Sequence, residues 1–198
     1  MIVTPIHPAE ATGLVAEIYA GDIDDIGFVY QHTQAMALNP EAWLAFEALA
    51  RTIVPSIGLR TYELVTLGAA RTLRSTHCLL AHGRRSVRAE VLDENQVIDI
   101  ARGEGSAGLS AADEAVLAYA ERVSTDAAQM SDADSRALRD VGFSDRQIVD
   151  ITLAAALRNY LSRSLQALAV PVDDLPGLSK AMTDALVAAG QAPRAAQP

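Results

Sequence analysis

The sequence predicts an all-α protein, a helical bundle. Three observations carry that reading. Half of the 198 residues are hydrophobic but only 5% are aromatic. Runs of β-branched and aromatic residues, the usual strand formers, are scarce. Apolar residues instead recur at helical spacing between Ser, Asn, Pro and Gly boundary signals. Taking the elements in order, Pro8 with Glu10 opens an amphipathic segment carrying Leu14, Val15 and Ile18, with Gly21-Asp22 as its expected end. After the Gly27 region, Asn39-Pro40-Glu41 supplies a cap, a first-turn proline and a first-turn acid for a helix holding Trp43, Leu44, Phe46 and Leu49. Pro55 to Gly58 breaks that helix, and Arg60 to Leu73 resumes with Leu64, Leu67 and Ala70 on one face. Ser75-Thr76 starts the next helix, running to about Val91, and Asn95 to Arg102 makes a short one. Gly103 to Leu109 is a loop. Ser110 with Asp113 and Ser131 with Asp134 resemble capping boxes, and Ser144 with Gln147 forms the box proper ahead of a long helix from Asp145 to about Ala169. Pro171 and Pro176 interrupt the pattern before a last helix around Leu178 to Ala188 and a frayed tail after Gly190. With no repeat and no internal linker, a single domain is expected over 1–175, and a C-terminal helix and flexible tail over 176–198.

Composition narrows the function classes. A mean hydropathy of +0.14 with 21% charged residues excludes a largely disordered chain. No apolar run approaches the roughly 18 residues that span a bilayer, so no membrane partner is expected. Met1-Ile-Val-Thr-Pro has neither a basic start nor an apolar stretch, so no signal peptide is expected and the location reads as cytoplasmic. The single cysteine excludes an intrachain disulfide and a CxxC pair, and fits a reducing compartment. A net charge of −9 and a pI near 4.8 argue against nucleic acid, whose binding rests on phosphate neutralisation.

The stretch from Glu63 to His82 carries the chemistry. If Ser75 caps the helix, Cys78 stands at its third position, where unpaired backbone N–H groups and the positive helix end favour thiolate over thiol. Arg71, Arg74, Arg84 and Arg85 add positive potential nearby. His82 lies four residues on, on the same face, with Cβ atoms roughly 5–6 Å apart. Direct or water-mediated proton transfer between them is within reach. Glu63, on the preceding helix, completes a relay if the two helices pack antiparallel. Such a cysteine, imidazole and orienting acid make the general activated-nucleophile arrangement. A lone cysteine in an Ala- and Leu-rich helix is equally how a small buried hydrophobe reads.

The pattern resembles the alkylhydroperoxidase D-like / carboxymuconolactone decarboxylase-like family of all-helical proteins. That family's peroxidase motif is a Glu followed twelve residues later by Cys-x-His-Cys-x-x-x-His, and here Glu63, Ser75, His77, Cys78 and His82 occupy the five positions. Four match; Ser75 departs. The likeness extends over roughly residues 8 to 175, through Gly27-Phe28-Val29, Asn39-Pro40-Glu41, Leu109-Ser110 to Val123, and Gly142-Phe143-Ser144-Asp145 to Val170-Pro171. It implies a cofactor-independent thiol peroxidase with Cys78 as nucleophile, His82 as base, Glu63 as relay partner and His77 tuning the thiol. In the family a second cysteine resolves the sulfenate into a disulfide, which the hydroxyl of Ser75 cannot do. An external thiol reductant is therefore implied, or loss of turnover with the fold kept, and Ser75 reads equally as a better helix cap than Cys. A homo-oligomer, trimer or hexamer, is also implied. The alternatives are a lyase on a small lactone or cyclic acid, with His82 and Glu63 doing acid–base work, and a non-catalytic oligomeric redox sensor.

Other features invite weaker readings. Gly103-Glu-Gly105-Ser-Ala-Gly108 fits G-x-G-x-x-G, but no buried strand precedes it and Glu104 has the wrong sign for a phosphate. Glu63, His77, Cys78 and His82 are ligand types for zinc, yet adjacent His77 and Cys78 diverge on a helix, so no metal is expected. The arginines between Arg71 and Arg88 lack interleaved aromatics for stacking on single strands and read as salt-bridge or interface residues. Asn159, Tyr160 and Arg163 fit either a pocket or a structural role, His7 and His32 show no partner signal, and Trp43 and Phe46 read as core.

Overall fold

The structure is a computed structural model that describes residues 1–105 and 108–191. Among those residues there are helices and no strands. A 3₁₀ turn at Pro8–Glu10 leads into α1 (Gly13–Ile26), followed by α2 (Gln31–Met36), α3 (Pro40–Leu73), α4 (Thr76–Arg88), α5 (Glu94–Arg102), α6 (Ala111–Asp126), α7 (Asp132–Asp140), α8 (Asp145–Ala167) and α9 (Lys180–Gln191). The long α3 is the central element, packed mainly on α8 and α6 and turning into α4, while α9 closes over α4 and α5.

Local chemistry explains most boundaries. Asn39 Oδ1 accepts from the Ala42 N–H to start α3. Asp93 with Gln96, Ser110 with Asp113 and Ser144 with Gln147 form reciprocal capping boxes on α5, α6 and α8. Gly58 breaks α3 at φ 78°, ψ 158°, a conformation that only glycine adopts without strain, so the helix bends where the Pro55–Gly58 segment predicts. By length and composition α3 is also apolar enough to cross a membrane, although no uninterrupted apolar run of that length exists in the sequence.

One expectation about the end of a helix changes. Gly21 does not stop α1; the helix runs on to Ile26 and ends on Gly27 at φ 87°. Gly21 tolerates helical geometry at a modest entropic cost, whereas Gly27 supplies the left-handed C-cap. The short α2 is unforeseen: six residues are too few to show a period. At the other end, the C-terminal helix α9 packs into the core. Met182 and Leu186 are fully buried in the same cluster as Leu79 and Val97, and a Cβ on Gly83 of α4 would lie 2.9 Å from Leu186 Cδ1. The frayed tail falls on residues 192–198, outside the described residues, as do Ser106 and Ala107 in the 103–109 loop.

Two apolar clusters result. One unites α3 beyond Ile53 with α4, α5, α6, α8 and α9; the other joins α1 and α2 with Trp43, Leu161, Leu165 and Val170. The site lies where they meet.

Candidate active site

A cavity of about 260 Å³ opens between the two clusters. Tyr62, His77, Cys78, His82 and Arg158 line its polar side, and Trp43 and Phe46 form an aromatic wall with their rings stacked 5.3 Å apart. Ser75 stands at the N-cap of α4, which places Cys78 at the third helical position. The cysteine is 2% exposed.

The α3–α4 turn brings Glu63 against His82. Glu63, with no exposed surface, takes a hydrogen bond on Oε2 from His82 Nδ1 at 2.7 Å. A carboxylate oxygen only accepts, so Nδ1 carries the proton and Nε2 keeps its lone pair. Burial, and then the charge of Arg158, push His82 below the ordinary histidine value against the pull of Glu63. The pair is thus a neutral imidazole donating to a carboxylate, with the imidazole available as a base. Arg85 Nε stands 3.3 Å from Glu63 Oε1, close enough for charge attraction but poorly aligned for a hydrogen bond. Its guanidinium also lies 6.0 Å from the Tyr62 ring centre. Together Arg85 and His82 offset the cost of burying the Glu63 carboxylate.

The groups that touch the sulfur come from α8. Arg158 Nη1 and Ser162 Oγ each donate to Cys78 Sγ at 3.3 Å. Arg158 is buried and makes no ion pair with a carboxylate among the described residues. Burial works against its charge, but the Cys78 sulfur, Tyr62 and Glu63 more than compensate and hold its pKa above the usual arginine value. Arg158 thus places its positive charge directly against the sulfur. Sequence reasoning missed both residues, yet a signal existed. Ile151, Ala154, Ala155, Leu161 and Leu165 form the buried stripe of α8, and Arg158 and Ser162 fall on it at helical spacing. A cation on an apolar stripe requires a partner.

The expected sources of positive potential are mostly engaged elsewhere. Arg71 pairs with Glu121, Arg84 donates to the Pro176 carbonyl, and Arg85 serves Glu63. On α8, Asn159 bonds Ser124 and the Ala155 carbonyl, Arg163 is exposed, and Tyr160 contacts Phe46 behind the aromatic wall. His77 lines the cavity while its Nε2 donates to the Pro171 carbonyl at 2.8 Å, tying α4 to the segment after α8. Ser75 caps α4 only by position. Its hydroxyl makes no capping bond and is buried without a partner among the described residues, so better capping does not account for it.

His32, which shows no partner signal in the sequence, lines the cavity beside Trp43, its ring 4.8 Å from Tyr30 and 6.0 Å from Trp43. Burial, then the charges of His77, Arg158 and His82, push it down to about 3. The glycines at 103, 105 and 108 do not follow a strand: Gly103 is the left-handed cap that ends α5.

The fold has counterparts among known proteins. Residues 24–122, half of the chain, match the Carboxymuconolactone decarboxylase family. No curated protein matches. Among solved structures, a peroxidase-related protein from Ralstonia eutropha described as an alkylhydroperoxidase core superposes with a TM-score of 0.77 at 19% identity, covering 98% of this chain and 97% of that one. A peroxidase-related protein from Silicibacter gives 0.71 at 21% identity, with 87% and 96% covered. The debrominase Bmp8 gives 0.75 at 21% identity, with 93% and 97% covered, and a cysteine-to-alanine variant of it was solved with 2,3,4-tribromopyrrole. These likenesses establish the alkylhydroperoxidase-like all-α fold. The chain belongs to the carboxymuconolactone decarboxylase family.

Proposed function

We propose that the protein is a one-cysteine thiol peroxidase. The observation that carries this reading is the double hydrogen bond from Arg158 and Ser162 to Cys78 Sγ at the edge of a cavity that the Glu63–His82 pair also lines. His82 Nε2 takes the thiol proton, and Arg158 holds the resulting negative sulfur. The sulfur attacks the terminal oxygen of a hydroperoxide: an S–O bond forms, the O–O bond breaks, and the alkoxide leaves as an alcohol with the proton returned from His82. Cys78 becomes a sulfenic acid. Because serine stands at position 75, two external thiols complete the cycle. The first displaces water to form a mixed disulfide, and the second releases Cys78 as a thiol together with the oxidised reductant. His77, held by Pro171, orients the α4 start and contributes to the field at the sulfur.

Intact-mass analysis after one equivalent of hydroperoxide tests the reading. The expected result is the gain of one oxygen at Cys78, removed by dithiothreitol; an unmodified protein sinks it.

A second reading, a lyase on a small lactone or cyclic acid, is favoured by one observation: the Glu63–His82 bond is complete without the sulfur. Turnover of a lactone without thiol, retained in Cys78→Ser, would select it. We also propose a homo-oligomer. Val149, Leu153 and Tyr160 form an exposed stripe along α8 at helical spacing, Val149 at 54% exposure. A second copy of the chain would cover this apolar face. Light scattering that shows a 21.0 kDa monomer at micromolar concentration would contradict this.

A further inference from the structure

A second cavity of about 530 Å³ runs along the outer side of α4. It shares His32, Ala81, His82 and Arg85 with the cavity that holds Cys78, so the two adjoin across these residues. Its walls are cationic. Arg84, Arg85 and Arg88 line it against one carboxylate, Asp25, which both Arg84 (3.7 Å) and Arg88 (2.5 Å) share. Arg85 is committed to Glu63, leaving one guanidinium in excess along the groove and Arg158 without a carboxylate at its inner end. In a chain of net charge −9 this is a local reversal of sign. Arg85 and Arg88 keep about half of their side-chain surface open, at 51% and 59%.

Resting on the peroxidase reading, we propose that this groove binds the reductant, and that the reductant is a small thiol carrying carboxylates. The chemistry calls for such a site. With Ser75 unable to resolve the sulfenate, a thiol from solution must reach a buried sulfur, and the arginine-lined groove is a charged approach that adjoins the sulfur's own cavity. Carboxylates on Arg84 and Arg88 would displace Asp25 as their shared counter-ion and aim the thiol past Ala81 and His82 toward Cys78. The attacking thiol forms an S–S bond to Cys78 as hydroxide leaves and takes a proton to become water; a second thiol then frees Cys78 and carries away the disulfide.

The test bypasses peroxide. Methyl methanethiosulfonate converts Cys78 to a methyl disulfide, and the rate of its reduction is measured with mercaptosuccinate, 2-mercaptoethanol and cysteamine. Each rate is divided by that thiol's rate on the methyl disulfide of N-acetylcysteine, which removes intrinsic reactivity. Charge steering of the kind expected gives mercaptosuccinate an advantage of at least about tenfold over 2-mercaptoethanol at low salt, with cysteamine slowest. The advantage falls as salt is raised and is lost in Arg88→Gln and reversed in Arg88→Glu, changes at an exposed position that leave the core intact. Equal normalised rates for the three thiols, or an advantage unchanged in both variants, overturn the proposal. A Cys78 that the reagent cannot modify in the folded protein overturns it as well, because the groove would then not lead to the sulfur. If peroxide fails to oxidise Cys78, the peroxidase reading fails separately, while these rates still report on the groove.

Discussion

Two parts of the chain converge on Cys78 and, in the proposed peroxidase, do different work there. The α3–α4 turn supplies Glu63 and His82, 19 positions apart, and acts on a proton: one buried hydrogen bond fixes the imidazole tautomer and leaves Nε2 free. Helix α8 supplies Arg158 and Ser162, 80 and 84 positions from the cysteine, and acts on charge: both donate directly to the sulfur. The hydrogen bonds described at Cys78 Sγ come from α8 and not from His82. The difference separates two tasks that a single acid–base relay would merge, namely removing the proton and stabilising what remains. In the proposed peroxidase, proton removal by His82 would therefore proceed through water or a side-chain movement rather than through a standing contact.

Mutations on each side sharpen this division. The largest effect is expected from Cys78→Ser, which removes peroxide reactivity altogether, read as loss of the mass gain. His82→Ala should slow oxidation near neutral pH by about 10²–10⁴-fold, the usual range for a general base. Arg158→Met should cost about 10²-fold, as for other single donors aimed at developing charge; Arg158→Lys recovers part of that if charge is what matters and packing is not. Ser75→Cys should convert the peroxide product from a sulfenate to a disulfide between the introduced thiol and Cys78. It would be seen as a loss of two hydrogens in the intact mass, provided that one helical turn allows disulfide geometry. Free thiols alongside an over-oxidised Cys78 would show that position 75 is misaligned with the family's partner cysteine. Ser162→Ala should have the smallest kinetic effect, a few-fold, because a neutral hydroxyl contributes about 1 kcal/mol.

The α1–α2 side of the cavity yields a prediction about stability. Native His32 resists protonation down to about 3, whereas in the unfolded chain it titrates near 6.5. The unfolded state therefore binds more protons in this window, and stability falls as the pH drops from about 6.5 toward about 3. His82, also lowered, adds in the same direction below 6.5. Asp22 opposes them. Burial chiefly raises it to about 6, against the pull of the nearby Thr33 hydroxyl and a hydrogen bond from the Tyr30 N–H, so its share of stability is lost as the pH rises from about 4 to about 6. Thermal melts of His32→Phe should lose part of the acid sensitivity of the wild type, and Asp22→Asn should be more stable than wild type at pH 7 but not at pH 4. Unchanged slopes in both would detach these groups from the acid response.

The contrast between the two sides also explains what the sequence could and could not reveal. Glu63, Cys78 and His82 are legible because they fall on the family motif and lie on consecutive helices joined by a tight turn, where antiparallel packing suffices to bring Glu63 to His82. The caps at Asn39, Ser110 and Ser144 are legible because their partners are three residues away. Arg158 and Ser162 depend on how α8 crosses α4, a tertiary fact with no local spacing rule, although a cation on an apolar stripe marks the place. His32 is harder still. It sits in a six-residue helix, and only the packing of α2 on Trp43 carries it to the cavity. Ser75 reads as a cap because serine commonly is one; its buried hydroxyl, without a partner among the described residues, shows that a capping bond is not what the residue contributes.

The most direct test of the division of labour is the stopped-flow rate of Cys78 oxidation across pH, measured on wild type, His82→Ala and Arg158→Met. If His82 moves the proton and Arg158 holds the charge, the His82→Ala deficit closes at high pH, where hydroxide ionises the thiol unaided, while part of the Arg158→Met deficit persists as charge passes from sulfur to the leaving oxygen. A His82→Ala profile parallel to wild type at every pH, or an Arg158→Met deficit that vanishes completely once the thiol is ionised, would contradict it.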